Sequence, residues 1–211
     1  MSIDQLVALM IAKRWEMLAV ITGIISVYLS TRENIWSWPT ALVNVALYFV
    51  VFYEEKLYAD MGLQVVYFAL SLYGWYEWLY GGENRTELRV SRTSPALGIR
   101  LAMIGIACVA VLGTLLARFT DAALPYIDSA TASTSLVAQW MMTRKILENW
   151  AVWMAVDVVY VGMFIYKHLY LTAGLYTVFF VLAAMGYVQW KRSLVGRELG
   201  TGNGEPIVSR A

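Results

Sequence analysis

Thr31-Arg32-Glu33-Asn34-Ile35-Trp36-Ser37-Trp38 returns 112 residues later as Thr143-Arg144-Lys145-Ile146-Leu147-Glu148-Asn149-Trp150. The threonine, the arginine and the closing tryptophan coincide, and the match runs on without a gap. From Thr31 to Trp78, 14 of 48 positions are identical in the two copies, where roughly four would coincide by chance in so apolar a chain. The shared positions include Tyr48/Tyr160, Phe52/Phe164, Gly62/Gly174, Gly74/Gly186 and Trp78/Trp190. Common membrane composition alone does not hold glycine, tryptophan and arginine in one register. The chain is a duplication, and the duplication decides the fold.

Working outward, each copy lies in hydrocarbon-like sequence. Of the 211 residues, 60% are hydrophobic and 15% charged, against roughly 25% charged in soluble domains. A spanning helix needs about 20 apolar residues. Charge-poor windows then give seven spans: about Trp15–Thr31, Trp36–Tyr53, Tyr58–Tyr80, Leu97–Phe119, Ile127–Thr143, Asn149–Tyr166 and Leu169–Trp190. The third ends in Tyr73, Trp75, Tyr76, Trp78 and Tyr80, which reads as an interfacial belt. The fifth is weak, with Ser129, Thr131, Ser133, Thr134, Ser135 and Gln139.

Spans one to three repeat as spans five to seven. Three is odd, so two triplets joined directly would be inverted; the bland fourth span restores the direction. The expectation is an all-α integral membrane protein with seven transmembrane helices in a 3+1+3 parallel-repeat, SWEET-like arrangement. Its parts are an amphipathic segment 1–14, a first repeat 15–80, a loop 81–96, a linker helix 97–119, a second repeat 120–192 and a flexible tail 193–211. The layout of Met1 to Arg14 is the reverse of a cleavable signal. Basic residues divide five to eleven between the two faces. The richer face collects Arg32, the 85–100 arginines, Arg144, Lys145 and the tail, and should be cytoplasmic. The N-terminus is then outside.

A net charge of +1 gives no sign of a nucleic-acid partner. Cys108 and His168 are each the only residue of their kind, so neither a disulfide framework nor a Cys/His metal site is expected. No nucleophile–base pair is visible, so the chain does not read as an enzyme. No cofactor is expected either.

The residues that can carry chemistry lie inside the spans. Trp150, Trp153 and Asp157 are spaced i, i+3, i+7 and share one helix face. A carboxylate there is expensive unless it faces a cavity or a partner. In the first copy only Trp38 answers to this set, because Ala41 and Val45 stand where Trp153 and Asp157 do. Asn44 lies mid-span in the second helix, where a helix–helix hydrogen bond competes with a ligand contact. Gln64 lies on a polar, aromatic stripe with Asp60, Tyr67, Ser71 and Trp78; the other copy has Thr172, Tyr176, Phe179, Ala183 and Trp190. The frame is kept while the lining diverges, which suits a ligand whose two ends differ. Indole faces attract flat rings and cations, a carboxylate favours positive charge, and amides suit amides and hydroxyls. The ligand expected is a small, flat, cationic aromatic.

At these residues a family comes into view. The chain resembles the PnuC-type bacterial vitamin transporters from about the first span to Arg192. Their motif W-x-x-W-x-x-x-N/D is met by Trp150, Trp153 and Asp157. Met142–Lys145, Glu148–Trp150, Leu57–Asp60, Gln64 and Tyr73–Tyr76 also resemble the family. The resemblance implies uptake of nicotinamide riboside across the bacterial inner membrane by facilitated diffusion, with phosphorylation trapping the substrate inside. It also implies a homotrimer. Trp150 and Trp153 would pack on the ring and Asp157 would bond or balance charge, with Gln64 and Asn44 as further contacts. The alternatives are thiamine as substrate, or a receptor or subunit that transports nothing.

Overall fold

The computed structural model describes residues 14–54, 58–120, 124–166 and 168–202. The segments 1–13, 55–57 (with Leu57 of the family match), 121–123 and 203–211, and Lys167, lie outside them. Every long element is helical. In chain order these are α1 (Arg14–Thr31), α2 (Ser37–Glu54), α3 (Tyr58–Tyr80), α4 (Pro95–Phe119), α5 (Pro125–Thr143), α6 (Asn149–Tyr166) and α7 (Tyr170–Gly202). A single 3-10 turn, Glu83–Arg85, interrupts the loop after α3. The seven helices are those expected. α4, α6 and α7 as far as Arg197 are each long and apolar enough to cross a membrane.

The chain divides into two units between Leu88 and Arg89. The first unit is α1 on α2 and α2 on α3. α1 and α2 meet at a corner built by backbone bonds. Asn34 N donates to Leu29 O (3.0 Å) and Glu33 N to Ser30 O (3.1 Å), while Glu33 takes φ = 54°. This left-handed residue closes the helix by capping its last carbonyls. Thr31 Oγ1 donates to Tyr28 O (2.7 Å), and Ser26 Oγ to Ser37 O across the corner (2.9 Å).

The second unit packs α4 on α5, α5 on α6 and α6 on α7. The α5–α6 corner repeats three of these four bonds; the Ser26–Ser37 bond has no counterpart, because Ala138 stands at the place of Ser26. Ile146 N donates to Met141 O (3.0 Å) and Lys145 N to Met142 O (3.0 Å), Lys145 takes φ = 48°, and Thr143 Oγ1 donates to Trp140 O (2.7 Å). Each of these stands 112 residues after its counterpart. The quoted octapeptide therefore encodes a helix–corner–helix joint, made once in each unit.

Three expectations change. Trp78 does not belong to an interfacial belt. It is 2% exposed, whereas Tyr73, Tyr76 and Tyr80 are exposed. Trp38 meets it edge-on at 5.3 Å and 89°, over Gly74. The linker helix α4 is not a separate piece: it belongs to the second unit and packs along α5. The last helix does not stop near Trp190, because its intrahelical bonding carries on through Ser193–Gly202, ten residues of the expected tail.

The polarity of α5 also finds its cause. Ser129, Thr131, Ser133 and Ser135 are buried, between α4 and α6. Thr131 Oγ1 donates to Ile127 O and Asp128 O, and Ser129 Oγ to Tyr126 O (3.1 Å). In a bilayer, hydroxyls turn toward protein because lipid offers no acceptor. Against this, α4 leaves Ile99, Met103, Ile104, Ile106 and Val111 exposed, as a lipid-facing helix should.

Candidate functional site

Because α6 starts at Asn149, the stripe Trp150–Trp153–Asp157 runs up its first two turns. Val158 and Val159 are exposed on the opposite side, so the stripe faces into the second unit. Its three members have different surroundings.

Trp150 is 1% exposed and locked. Trp190 meets it edge-on at 5.3 Å and 84°. A Cβ on Gly186 would lie 2.5–2.6 Å from its ring, so only glycine lets the indole in. This is the Trp38–Trp78–Gly74 arrangement over again. Among the described residues the indole N–H of Trp150 has no acceptor, and neither has that of Trp38. The orphan donor therefore belongs to the shared frame and does not single out a ligand. In lipid there is no hydrophobic drive between helices; close contact, plus about 0.5–1.5 kcal/mol for each ring pair, holds α6 to α7 and α2 to α3.

Trp153 and Asp157 break the pattern. Trp153 is half-buried. Asp157 is 4% exposed, and its carboxylate accepts no hydrogen bond and forms no ion pair among the described residues. Buried carboxylates are normally paired, because an uncompensated one is costly. Seven residues separate it from Trp150, about 10 Å of helix. The pair offers an aromatic face and a carboxyl group one turn apart.

The first unit holds the other two expected residues. Gln64 is half-buried on α3. It shares a stripe with Tyr67 and with buried Ser71 and Trp78, while Val65, Val66, Phe68 and Leu72 turn outward. That stripe avoids lipid, as expected; the Asp60 side chain lies outside the described residues. Asn44 has already spent its amide: Nδ2 donates to Ala19 O (2.5 Å) and lies 3.4 Å from Thr22 Oγ1. It ties α2 to α1, the helix–helix bond that competed with a ligand contact.

Two features escaped the sequence. One is a clasp beside the α5–α6 corner. Ser91 N donates to Lys145 O (3.0 Å), Leu147 N donates to Ser91 O (2.8 Å), and Glu148 Oε2 accepts from Thr93 N and Oγ1 (2.8 and 2.9 Å). Nothing local in 91–94 signals a pairing 55 residues away. The other is a set of rings further along α6, Tyr160 and Phe164, with Tyr176 of α7. Here a signal existed, because positions 160 and 164 continue the 150–153–157 spacing.

The profile of nicotinamide mononucleotide transporters matches residues 13–192. The chain belongs to that family. The nicotinamide riboside transporter PnuC of Escherichia coli K12 is 28% identical, over 88% of this chain and 87% of that protein. The riboflavin/roseoflavin transporter RibM of Streptomyces davaonensis is also 28% identical, over 83% of each chain. A crystal structure of the vitamin B3 transporter PnuC shares the fold, with a TM-score of 0.70 at 23% identity, covering 90% of this chain and 87% of that one. The protein is thus a multi-pass membrane protein of a transporter family and not an enzyme.

Proposed function

We propose that the protein carries nicotinamide riboside, or a vitamin of the same flat, cationic kind, into the bacterial cell by facilitated diffusion. The observation that carries this reading is Asp157: a carboxylate 4% exposed, with no partner among the described residues, one turn from a half-buried indole. A pyridinium ring supplies what both lack. The ring stacks on Trp153, and its charge offsets the carboxylate. Trp150 supports this face from behind rather than touching the substrate. Gln64 is the next residue assigned to recognition, through a hydroxyl or amide of the ligand. Asn44 is the weakest candidate, because its donors are engaged on α1.

Among vitamins named for the relatives, the carboxylate favours nicotinamide riboside over riboflavin, which is neutral. Thiamine, also a cationic aromatic, is the second reading, and Asp157 supports it equally. The inner membrane, an outside N-terminus, a homotrimer and trapping by phosphorylation complete the proposal. The basic-residue bias and the family resemblance support them. The test is counterflow of labelled nicotinamide riboside into proteoliposomes of the purified protein. Uptake that unlabelled nicotinamide riboside competes away, and riboflavin does not, is the expected result. An absence of counterflow sinks the reading, and stronger competition by thiamine moves it to the second substrate.

A further inference from the structure

Beyond Asp157 the inward stripe of α6 continues. Positions 150, 153, 157, 160 and 164 alternate steps of three and four, so Tyr160 and Phe164 stand on the face that carries Trp153 and Asp157. Phe164 lies seven residues past Asp157, about 10 Å of helix, close to where α6 ends at Tyr166. Tyr176 of α7 reaches both rings. Its centroid is 4.5 Å from Tyr160, tilted 34°, and 5.3 Å from Phe164, stacked at 23°. Tyr160 and Phe164 are themselves stacked at 5.9 Å and 18°, and Phe179 meets Tyr176 edge-on at 6.0 Å and 76°. All four rings are only half-buried.

The repeat shows which part of this cluster the frame requires. The first unit keeps the stacked pair, Tyr48 on Phe52 at 5.6 Å and 23°. It has Gln64 at the position of Tyr176. A triplet with the same corners and the same Trp–Trp–Gly joint therefore stands without a third ring. Tyr176 is an addition peculiar to the second unit, like Trp153 and Asp157, and it lies beside the same stripe.

We propose that Tyr160, Phe164 and Tyr176 form a second, weaker binding station for the substrate's flat cationic ring, between Asp157 and the aqueous face where α6 ends. This rests on the function proposed above. Ring faces attract a cation and stack on a planar one. Asp157 stands one turn from Tyr160 but about 10 Å of helix from Phe164, so the far end of the station holds the ring more loosely than Trp153 and Asp157 do. A carrier gains from such a site, since passage needs binding strong enough to admit the solute and weak enough to release it. With the orientation set by the basic residues, this face is outside, and the station meets the substrate first.

The experiment is initial-rate uptake of nicotinamide riboside by proteoliposomes carrying wild type, Tyr176→Phe, Tyr176→Leu or Tyr176→Gln, the last restoring the first unit's residue. Tyr176→Phe should keep kcat/KM within about threefold of wild type. Leucine and glutamine should each lower it about tenfold, with equilibrium affinity at the Asp157 site changed much less. Phe164→Leu serves as the second variant if Tyr176→Leu does not fold. A leucine variant that transports with wild-type kcat/KM overturns the station, because its rings then only pack. If uptake responds to Asp157→Ala but not to Tyr176→Leu, the inference fails while the function stands. If wild type takes up no nicotinamide riboside, the function fails and the station falls with it.

Discussion

Replacing Asp157 by asparagine separates a ligand-binding carboxylate from a structural one, because the two predict opposite signs. The substitution keeps shape and an oxygen acceptor and removes one charge. Unit charges about 4 Å apart attract by ~4 kcal/mol at the effective dielectric of a partly solvated protein site. Stripping water from the cation returns much of that, leaving a net loss of about 1.5 kcal/mol on charge removal. That is about tenfold in affinity for nicotinamide riboside. Alanine, which also removes the hydrogen bond, should cost about a hundredfold. Stability moves the other way. Asp157 is 4% exposed with no partner among the described residues, so the empty protein bears the cost of an uncompensated group. Asparagine relieves it and should raise the melting temperature in detergent. Were Asp157 half of a structural ion pair, the same change would destabilise by about 3–5 kcal/mol. Calorimetric titration with nicotinamide riboside and thermal unfolding, both on purified wild type and Asp157→Asn, read the two quantities. Lower melting with unchanged affinity refutes the assignment.

Three further outcomes are expected. Trp153→Ala should weaken nicotinamide riboside binding about tenfold and leave melting near wild type, whereas Trp150→Ala should destabilise by roughly 3–5 kcal/mol through the cavity beside Trp190; equal melting losses would contradict the division. Gly74→Ala and Gly186→Ala should each destabilise by about 1–3 kcal/mol, since the new methyl enters the ring of Trp38 or of Trp150; fluorescence-detected gel filtration after heating measures both, and a tolerated alanine at either position counts against the joint. Asn44→Ala should lower stability by about 1 kcal/mol with affinity unchanged, and a fall in affinity at constant melting temperature would make Asn44 a ligand contact after all.

How much was legible follows from where each signal sits along the chain. The joint was legible because its parts are local or recur in one register: Thr31, Gly74 and Trp78 against Thr143, Gly186 and Trp190. The Asp157 stripe was legible because helical spacing converts sequence to a face. Trp78 misled, because an indole near a helix end looks the same at an interface as under a second indole. Only the partner Trp38 and the missing Cβ of Gly74 decide between them. The Thr93–Glu148 clasp was illegible, because a carboxylate beside a helix start states no partner. Asn44 was undecided for a similar reason: its side chain can bond a ligand or a carbonyl equally well, and only the position of Ala19 O settles how its donors are used.

The repeat also gives a way to tell frame from function without any alignment. A feature present in both units answers a demand of the shared joint: the positive-φ corner, the edge-on tryptophans, the orphan indole N–H. A feature present in one unit cannot be demanded by that joint, because the other unit stands without it. By this rule Trp150 is frame, although it opens the family motif; beside Gln64 of the first unit, Trp153, Asp157 and Tyr176 are the residues we propose for recognition. Two of these offer rings and one a charge, all turned to the inward side of α6. A neutral sugar would use the rings but leave the charge unanswered; an alkali cation would answer the charge but waste the rings. A flat organic cation uses all three, so the asymmetry between the units supports the proposed substrate class.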